Sequence, residues 1–500
     1  WSLLSSEARK TVVLVYHSYN KSGREKYHYY YYHGLSSQNK FASGVLISMI
    51  FLVYFVHRHL EFRLPELDSL LQMNQLDPTQ CYDRSLVNLE SPFMLLDLPS
   101  EEAAVQVCQR AILIKRILQL WGRGTTLEEC AQATREYPEE IKSQYCSESI
   151  SWAVFVEGFG LSIPMAAQET MRAQFRHLDF QGPVKCRNPD QMFWVYCEYE
   201  YFKHEVAFDQ RTPLQVFMGR EVCRSSRKLV GKNDLKKRKY LGPTSMDNEL
   251  SLIMANMAQA RAGRWVFDPF VGTGSILVAC AQFGAFCSGT DIDIRVLRGK
   301  KGVSVYSNFH QYALPIPELI RSDNSLYGRH FRQQSLYDAI VCDPPYGIRA
   351  GARKSGSKRE TVRAIPPEER RNHIPQTQVY PVEDVMRDLL RVAATTLRVG
   401  GRLCYLLPCT YDLQEEDLPS HPCLSLKHNS LERMTMKMGR RLITMEKVLE
   451  YDYSKEAEYE KEINVKIENT SAEDIPYANL KEKTKRKNTQ APPPPPLELK

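Results

Sequence analysis

The chain has 500 residues, 43% hydrophobic and 25% charged, with a net charge of +7. This balance is ordinary for a soluble globular protein of two or three domains, and the mild basic excess is only weak evidence for an anionic partner. Thirteen cysteines without one CxxC pair argue against a disulfide framework and against structural zinc, which needs four clustered ligands, and predict reduced thiols in a cytoplasmic protein that holds no metal.

Residues 1–50 begin at Trp1 rather than Met and read as an atypical or mispredicted segment, since "KYHYYYYHGLSSQNK" matches no folded element. The apolar run 41–56 has 16 residues, fewer than the roughly 20 a bilayer span requires. It reads as a buried strand over 51–56 rather than a membrane anchor. Farther on, "RLPELDSLLQM" predicts a helix, "PFMLLDLP" a strand, and "EEAAVQVCQRAILIKRILQLWG" one amphipathic helix ending at glycine. "WAVFVEGF", "AAQETMRAQFRHLDF" and "MFWVYCEY" then predict strand, helix and strand. These two α/β pieces, 51–145 and 146–210, precede a basic connector at 211–243 that includes "RKLVGKNDLKKRKY".

A second regime spans 244–451. "RWVFDPF", "SILVACAQF", "AFCSGTDID", "LYDAIVCD", "DVMRDLLRVAATTL" and "GRLCYLLP" alternate strand with helix, which implies βαβ units and a parallel sheet. The stretch 452–500 is charged and ends in "APPPPPLELK"; it reads as a disordered tail.

Chemistry concentrates in two places. In "VFDPFVGTGSILVACAQFGAFCSGTDID" a strand delivers Asp268 to its tip, Gly272, Thr273 and Gly274 make a tight turn, and a helix begins near Ser275. Asp291 ends the next strand 23 residues on, where an acid meets a ribose diol. Residue 277 is Leu, so the dinucleotide fingerprint GxGxxG fails. A carboxylate ahead of the glycines suits a cationic amino-acid moiety better than a pyrophosphate, and S-adenosylmethionine carries one. In "LIRSDNSL", Asp323 is placed to end a third strand and accept from adenine, although a solvated loop acid reads equally well.

The second place is "IVCDPPYGIRAGARKSG". Two prolines end the strand and fix a rigid turn. An amino group on an aromatic base is a poor nucleophile, because its lone pair is delocalised into the ring. The Asp343 carboxylate and the Pro344 carbonyl are acceptors able to hold such a group, with Pro345 stiffening the turn and Tyr346 offering a face to the base. The basic residues that follow, including Arg353, Lys354 and Lys358, together with Lys236, Lys237 and Arg238 in the connector, are candidate phosphate contacts.

DPFVGTG with DPPYG resembles the amino-group methyltransferases that carry a DPPY-type loop. "RKYLGPTSMD", "GTDID", "RRLITMEKV", "HLEFRLPEL" and "DFQGPVKCRNPDQMFWVYCEY" narrow the resemblance to the catalytic subunit of the tRNA (guanine-N2-)-methyltransferase family acting on guanosine 10, over roughly 51–450. The resemblance implies a ferredoxin-like domain (51–145), a THUMP domain (146–210) for tRNA, and a Rossmann-like methyltransferase domain. It also implies a heterodimer with a small zinc-containing activator subunit, for which exposed apolar area along a sheet edge near "GRLCYLLP" is the expected docking site. By position it places Asp268, Gly272 and Gly274 on the cofactor's methionine end with Thr273 between them, Thr244 and Ser245 on the preceding cofactor-contacting loop, Asp291 on its ribose, Asp323 on its adenine, and Asp343, Pro344 and Tyr346 on the guanine. DNA adenine and protein glutamine remain alternative methyl acceptors, and a catalytically inactive tRNA-binding protein remains an alternative of another class.

Overall fold

The computed structural model describes residues 11–19, 25–33, 49–200, 208, 211–243, 245–346, 352–356, 365–370, 374, 376–436 and 438–465. Within 1–50, β1 (Thr11–Tyr19) and β2 (Glu25–His33) form an antiparallel pair that the sequence reading did not expect. Among the described residues no helix is long and apolar enough to cross a membrane.

The described chain forms two compact units. The first is built on a six-stranded sheet of β3 (Met49–Phe55), β4 (Phe93–Leu98), β5 (Ile114–Gly124), β6 (Trp152–Phe159), β7 (Gln191–Glu198) and β8 (Gln215–Arg224), in the order β4-β3-β5-β8-β7-β6. Strands from 49–124 and from 152–224 therefore share one sheet. Side chains alternate across a strand, and β7 shows the consequence. Phe193, Val195 and Cys197 join a core with Trp121, Cys130 and Phe175. Trp194 and Tyr196 join another with Leu52, Phe93 and Phe217.

Two expectations fail in this unit. The stretch read as one helix over 101–122 is a helix, Glu101–Arg110, followed by β5. Its second half is rich in Ile and Leu, and burial between neighbouring strands overrides any helical periodicity. Residues 215–224, read as connector, form β8 between β5 and β7.

The second unit comprises 56–77, 110–115 and 225 onward. Its sheet contains β9 (Trp265–Asp268), β10 (Phe286–Asp291), β11 (Glu318–Arg321), β12 (Tyr337–Cys342), β15 (Leu397–Thr410), β16 (Leu424–Arg433) and β17 (Met438–Lys447). A short hairpin, β13 (Arg353–Ser355) with β14 (Thr377–Val379), stands apart from it. The order is β11-β10-β9-β12-β15-β17-β16, parallel through β15 and antiparallel beyond. Chain direction across the sheet reverses between β9 and β12, so this is a doubly wound sheet whose switch point opens at the carboxyl ends of those two strands. The predicted parallel α/β architecture is what forms.

β15 is an interior strand, with Leu403, Cys404 and Tyr405 fully buried. The exposed docking edge expected near "GRLCYLLP" is therefore not there. Within the stretch read as a tail, Glu456–Glu462 is a helix, Glu460 pairs with Arg391, and Ile463 is buried. Residues 466–500 lie outside the described residues.

Candidate functional site

Three acids meet at the switch point. Asp268 closes β9 and is 1% exposed. One carboxylate oxygen accepts from the Phe270 N–H at 2.8 Å, and no Lys, Arg or His among the described residues pairs with it. Burial, with Asp291 and Asp343 nearby, pushes its carboxyl well above the ordinary carboxylate range. Asp291 closes β10 and accepts from the Gly272 N–H at 2.9 Å and the Asp293 N–H at 2.8 Å; burial raises it too. Asp343 follows β12, where Ile340 lies beside Phe267, so the turn leaves the sheet at the edge Asp268 occupies.

The glycines are required by geometry. Gly272 has φ 53° and Gly274 φ 80°, and a Cβ on Gly274 would sit 2.6 Å from Val305 Cγ1. Such backbone is accessible to glycine with little strain. The helix Ser275–Gln282 starts directly behind the turn. Thr273 and Ser245 share a hydroxyl hydrogen bond at 2.7 Å, and Ser245 accepts from the Gly242 N–H at 2.9 Å. Thr244 lies outside the described residues.

This arrangement suits a cationic, ribose-bearing ligand. A buried carboxylate without a basic partner is costly unless something compensates it, and a positively charged amino-acid end supplies that compensation beside Asp268.

Asp323 lies two residues beyond β11 and is 4% exposed. Its Oδ1 accepts from the Ser325 N–H at 2.9 Å and hydroxyl at 2.7 Å, while Oδ2 accepts from the Ser355 N–H at 2.5 Å. Burial alone would raise this carboxyl, but the hydrogen bonds from Ser355 and Ser325 outweigh it and hold it low. Both oxygens thus bind protein, and one ties the β13 segment to the wall of the site.

In the turn after β12, Pro344 is buried, and Asp343 and Pro345 are half-buried. The Tyr346 ring packs against the core that contains Ile340, Cys342 and Tyr405, and its hydroxyl is buried without a hydrogen-bond partner among the described residues. Burial, then the nearby Asp343, push that hydroxyl well above its ordinary value.

The candidate phosphate contacts divide. Lys236 is exposed, and Lys237 is exposed with its ammonium on the Gly231 carbonyl at 2.9 Å. Arg353 is exposed and donates to Thr377, while Lys354 pairs with Asp384 at 2.9 Å. Lys358 lies outside the described residues. Arg238 is 6% exposed and donates to the Ser275 hydroxyl at 2.7 Å and the Asn233 carbonyl at 3.3 Å. It braces the glycine turn from inside, out of reach of a phosphate.

Sequence reasoning missed Asn308. Fully buried on the helix Val305–Gln311, it accepts from the Tyr240 N–H at 2.9 Å and donates to the carbonyls of Tyr240 at 2.9 Å and Thr273 at 3.2 Å. Gln311, one turn on, accepts from the Lys239 N–H and donates to the Lys237 carbonyl. These two amides, spaced three apart on one helix face, fasten the connector to the glycine turn. That spacing was the available signal.

Comparison with known proteins adds the following. The Tmrp11 THUMP N-terminal domain model matches residues 49–227, and the RMKL-like methyltransferase domain model matches 236–361. The chain is 36% identical over 425 residues to the tRNA (guanine(10)-N(2))-methyltransferase TRMT11 of Dictyostelium discoideum, covering 81% of this chain and 83% of that protein. It is 35% identical to the Homo sapiens protein of the same name over 422 residues, covering 80% and 89%. Among solved structures, TrmN from Thermus thermophilus is 18% identical, covering 80% of this chain and 100% of that one, with a TM-score of 0.38.

Proposed function

Since this chain belongs to the family of tRNA (guanine(10)-N(2))-methyltransferases, we propose that it methylates the exocyclic N2 of guanosine 10 in tRNA with S-adenosylmethionine as donor. The observation that carries this reading is the switch point. There Asp268, buried and without a basic partner among the described residues, lies within electrostatic reach of Asp343 on the adjoining strand end. The cofactor supplies an electrophilic methyl group on a sulfonium.

The protein's own part is positioning and polarisation. Asp268, Gly272, Thr273, Gly274, Thr244 and Ser245 hold the methionine end, and Asp291 takes the ribose. Asp323, whose oxygens are already bonded, shapes the adenine wall rather than reaching across it. The Asp343 carboxylate and the Pro344 carbonyl accept from the two N2 protons, which draws nitrogen lone-pair density out of the ring and towards the methyl. Tyr346 and Pro345 hold that turn rigid and wall the base. Asp343 works as an acceptor, and the released proton passes to solvent after transfer.

The same reading makes 51–145 ferredoxin-like and 146–210 THUMP, two parts of one sheet that receive the tRNA. Lys236, Lys237, Arg353, Lys354 and Lys358 meet phosphates, and the chain is the catalytic subunit beside a small zinc-containing activator, in the cytoplasm.

The test is transfer from labelled cofactor to tRNA transcripts bearing guanosine or adenosine at position 10, with and without the activator. Asp343→Ala should lower the rate constant by about a hundredfold or more, the scale on which a transition-state contact is lost. Cofactor affinity, measured by calorimetry, should hardly change. Equal methylation of the adenosine transcript, or of duplex DNA, overturns the reading.

A further inference from the structure

The described residues at the tip between β16 and β17 are tied to their surroundings. Arg433 pairs with Gly439 across the hairpin. Beyond that pair the Thr435 and Met434 N–H groups donate to the Met438 carbonyl at 2.9 and 3.3 Å, and the Met438 N–H donates to the Thr435 hydroxyl at 3.1 Å. From the neighbouring strand end, the Tyr411 hydroxyl donates to the carbonyls of Thr435 and Met438, the latter at 2.9 Å. The Arg433 guanidinium lies 5.0 Å over the Tyr411 ring and has no carboxylate partner among the described residues. Held on this frame, Met434 is 42% and Met436 94% exposed.

Single apolar residues on a surface are ordinary. Here, however, five hydrogen bonds hold the backbone that presents the two methionines to solvent. Their place in the fold matters as well. Cys342 lies beside Tyr405, and Tyr405 beside Ile443. From that level the chain leaves β12 through the Asp343 turn to Tyr346, while β17 runs back to Arg440 and the tip. Thr410 pairs with Met438, so the tip leaves the sheet at the edge where Asp343 sits. Arg440 is near enough to act electrostatically on the Tyr346 hydroxyl.

We propose that this tip is a wedge that enters the tRNA stem beside guanosine 10, with Met436 and Met434 taking the space the base leaves; the inference rests on the function proposed above. N2 of a paired guanosine already donates to its partner base, so Asp343 and Pro344 can hold it only after the pair opens. Apolar side chains inserted at a base step are a recurrent way to open stacked nucleic acid, and the unbranched, polarizable thioether adapts to the irregular gap. The wide, shallow minor groove of an RNA helix exposes the N2 edge to such a tip. Arg433 is placed to reach the flanking phosphate. Arg440 and Arg441 are occupied inside the hairpin, by Glu432 and by Asn429 with the Leu413 carbonyl.

The experiment compares the full chain with its Met434→Ser/Met436→Ser variant, in the presence of the activator, on two transcripts. In one, guanosine 10 is paired; in the other, the opposing base is changed so that it is not. The variant should lose about tenfold in kcat/KM on the paired transcript and recover to near wild type on the unpaired one. Met436→Leu should retain activity on both, and cofactor affinity and thermal unfolding should not move. Equal loss on both transcripts, as expected if the tip docked a protein partner or merely bound tRNA, overturns the wedge, as does no loss on either. Wild-type protein that methylates neither transcript overturns the functional reading instead. Fluorescence of 2-aminopurine at position 10 then decides the wedge by binding alone: a rise with wild type and none with the variant supports it, and equal signals overturn it.

Discussion

At the scale of single residues, Asp268 shows how a functional group sits against the fold that carries it. An acid with a raised folded-state value resists ionisation in the native chain but not in the unfolded one. Above the ordinary carboxylate value of 3.8 the unfolded chain therefore binds fewer protons, and stability falls as pH rises. Asp268→Asn keeps the acceptor for the Phe270 N–H and removes the buried charge. The ligand-free variant should unfold at higher temperature than wild type at pH 7.5, with the gap closing as pH approaches 4. Its cofactor affinity should fall by about tenfold or more, one unit of lost charge interaction. Calorimetry at both pH values checks this, and a variant that is less stable at pH 7.5 removes the argument. Asp268, Asp291 and Asp343 were legible in the sequence because each ends an apolar run, and strand ends are local. The burial of Arg238 and the partners of Asp323 were not legible, for the opposite reason. A basic run does not say which of its members turns inward, and the Ser355 N–H that binds Asp323 lies 32 residues away.

Elements were legible where one period dominated and misread where two elements abutted. The run from 101 to 122 hides the junction of Glu101–Arg110 with β5, because neither Gly nor Pro separates them. The helix Glu456–Glu462 escaped notice in a charged stretch, since what orders it is remote. Tyr459 and Tyr451 lie against the His421 ring, with centroids 5.4 and 6.0 Å away. His421 is 2% exposed and accepts from the Cys423 N–H at 3.0 Å. Burial, then Arg391 and Lys447, push its pKa down to about 4 from 6.5. For a base whose folded value is depressed, the stability is present above pH 6.5 and is lost as pH falls towards 4, because only the unfolded chain takes up the proton. His421→Asn, which keeps an acceptor for Cys423, should flatten that part of the stability profile between pH 6.5 and 4. Urea unfolding at closely spaced pH values measures it, and an unchanged slope would show that His421 is not the titrating group.

The whole molecule is less modular than its sequence. The chain passes between the two units after residues 55, 77, 109, 115 and 224. Periodicity sees neighbours along the chain and not such returns, so sequential domains were the natural reading. In the second unit the returns are joined by a buried carboxylate. Glu66, on the helix Arg63–Met73 and 1% exposed, accepts from the N–H groups of Ile112 at 2.9 Å and Leu113 at 2.8 Å, and from the Asn256 amide at 2.6 Å. Asn256 in turn accepts from Arg110 Nε at 2.8 Å. Three stretches far apart in sequence thus close on one side chain. Glu66→Ala leaves three buried donors without their acceptor, each worth about 1–3 kcal/mol, so a loss on the order of 3 kcal/mol or more is expected in denaturant unfolding of the full chain. Burial raises the Glu66 carboxyl despite these bonds. Glu66→Gln keeps one acceptor oxygen without the charge and should recover a substantial part of the loss. If alanine costs less than about 1 kcal/mol, the typical net value of one hydrogen bond, the three stretches are held by packing alone. If glutamine is as damaging as alanine, both carboxylate oxygens are needed at once, one for Leu113 and one shared by Ile112 and Asn256.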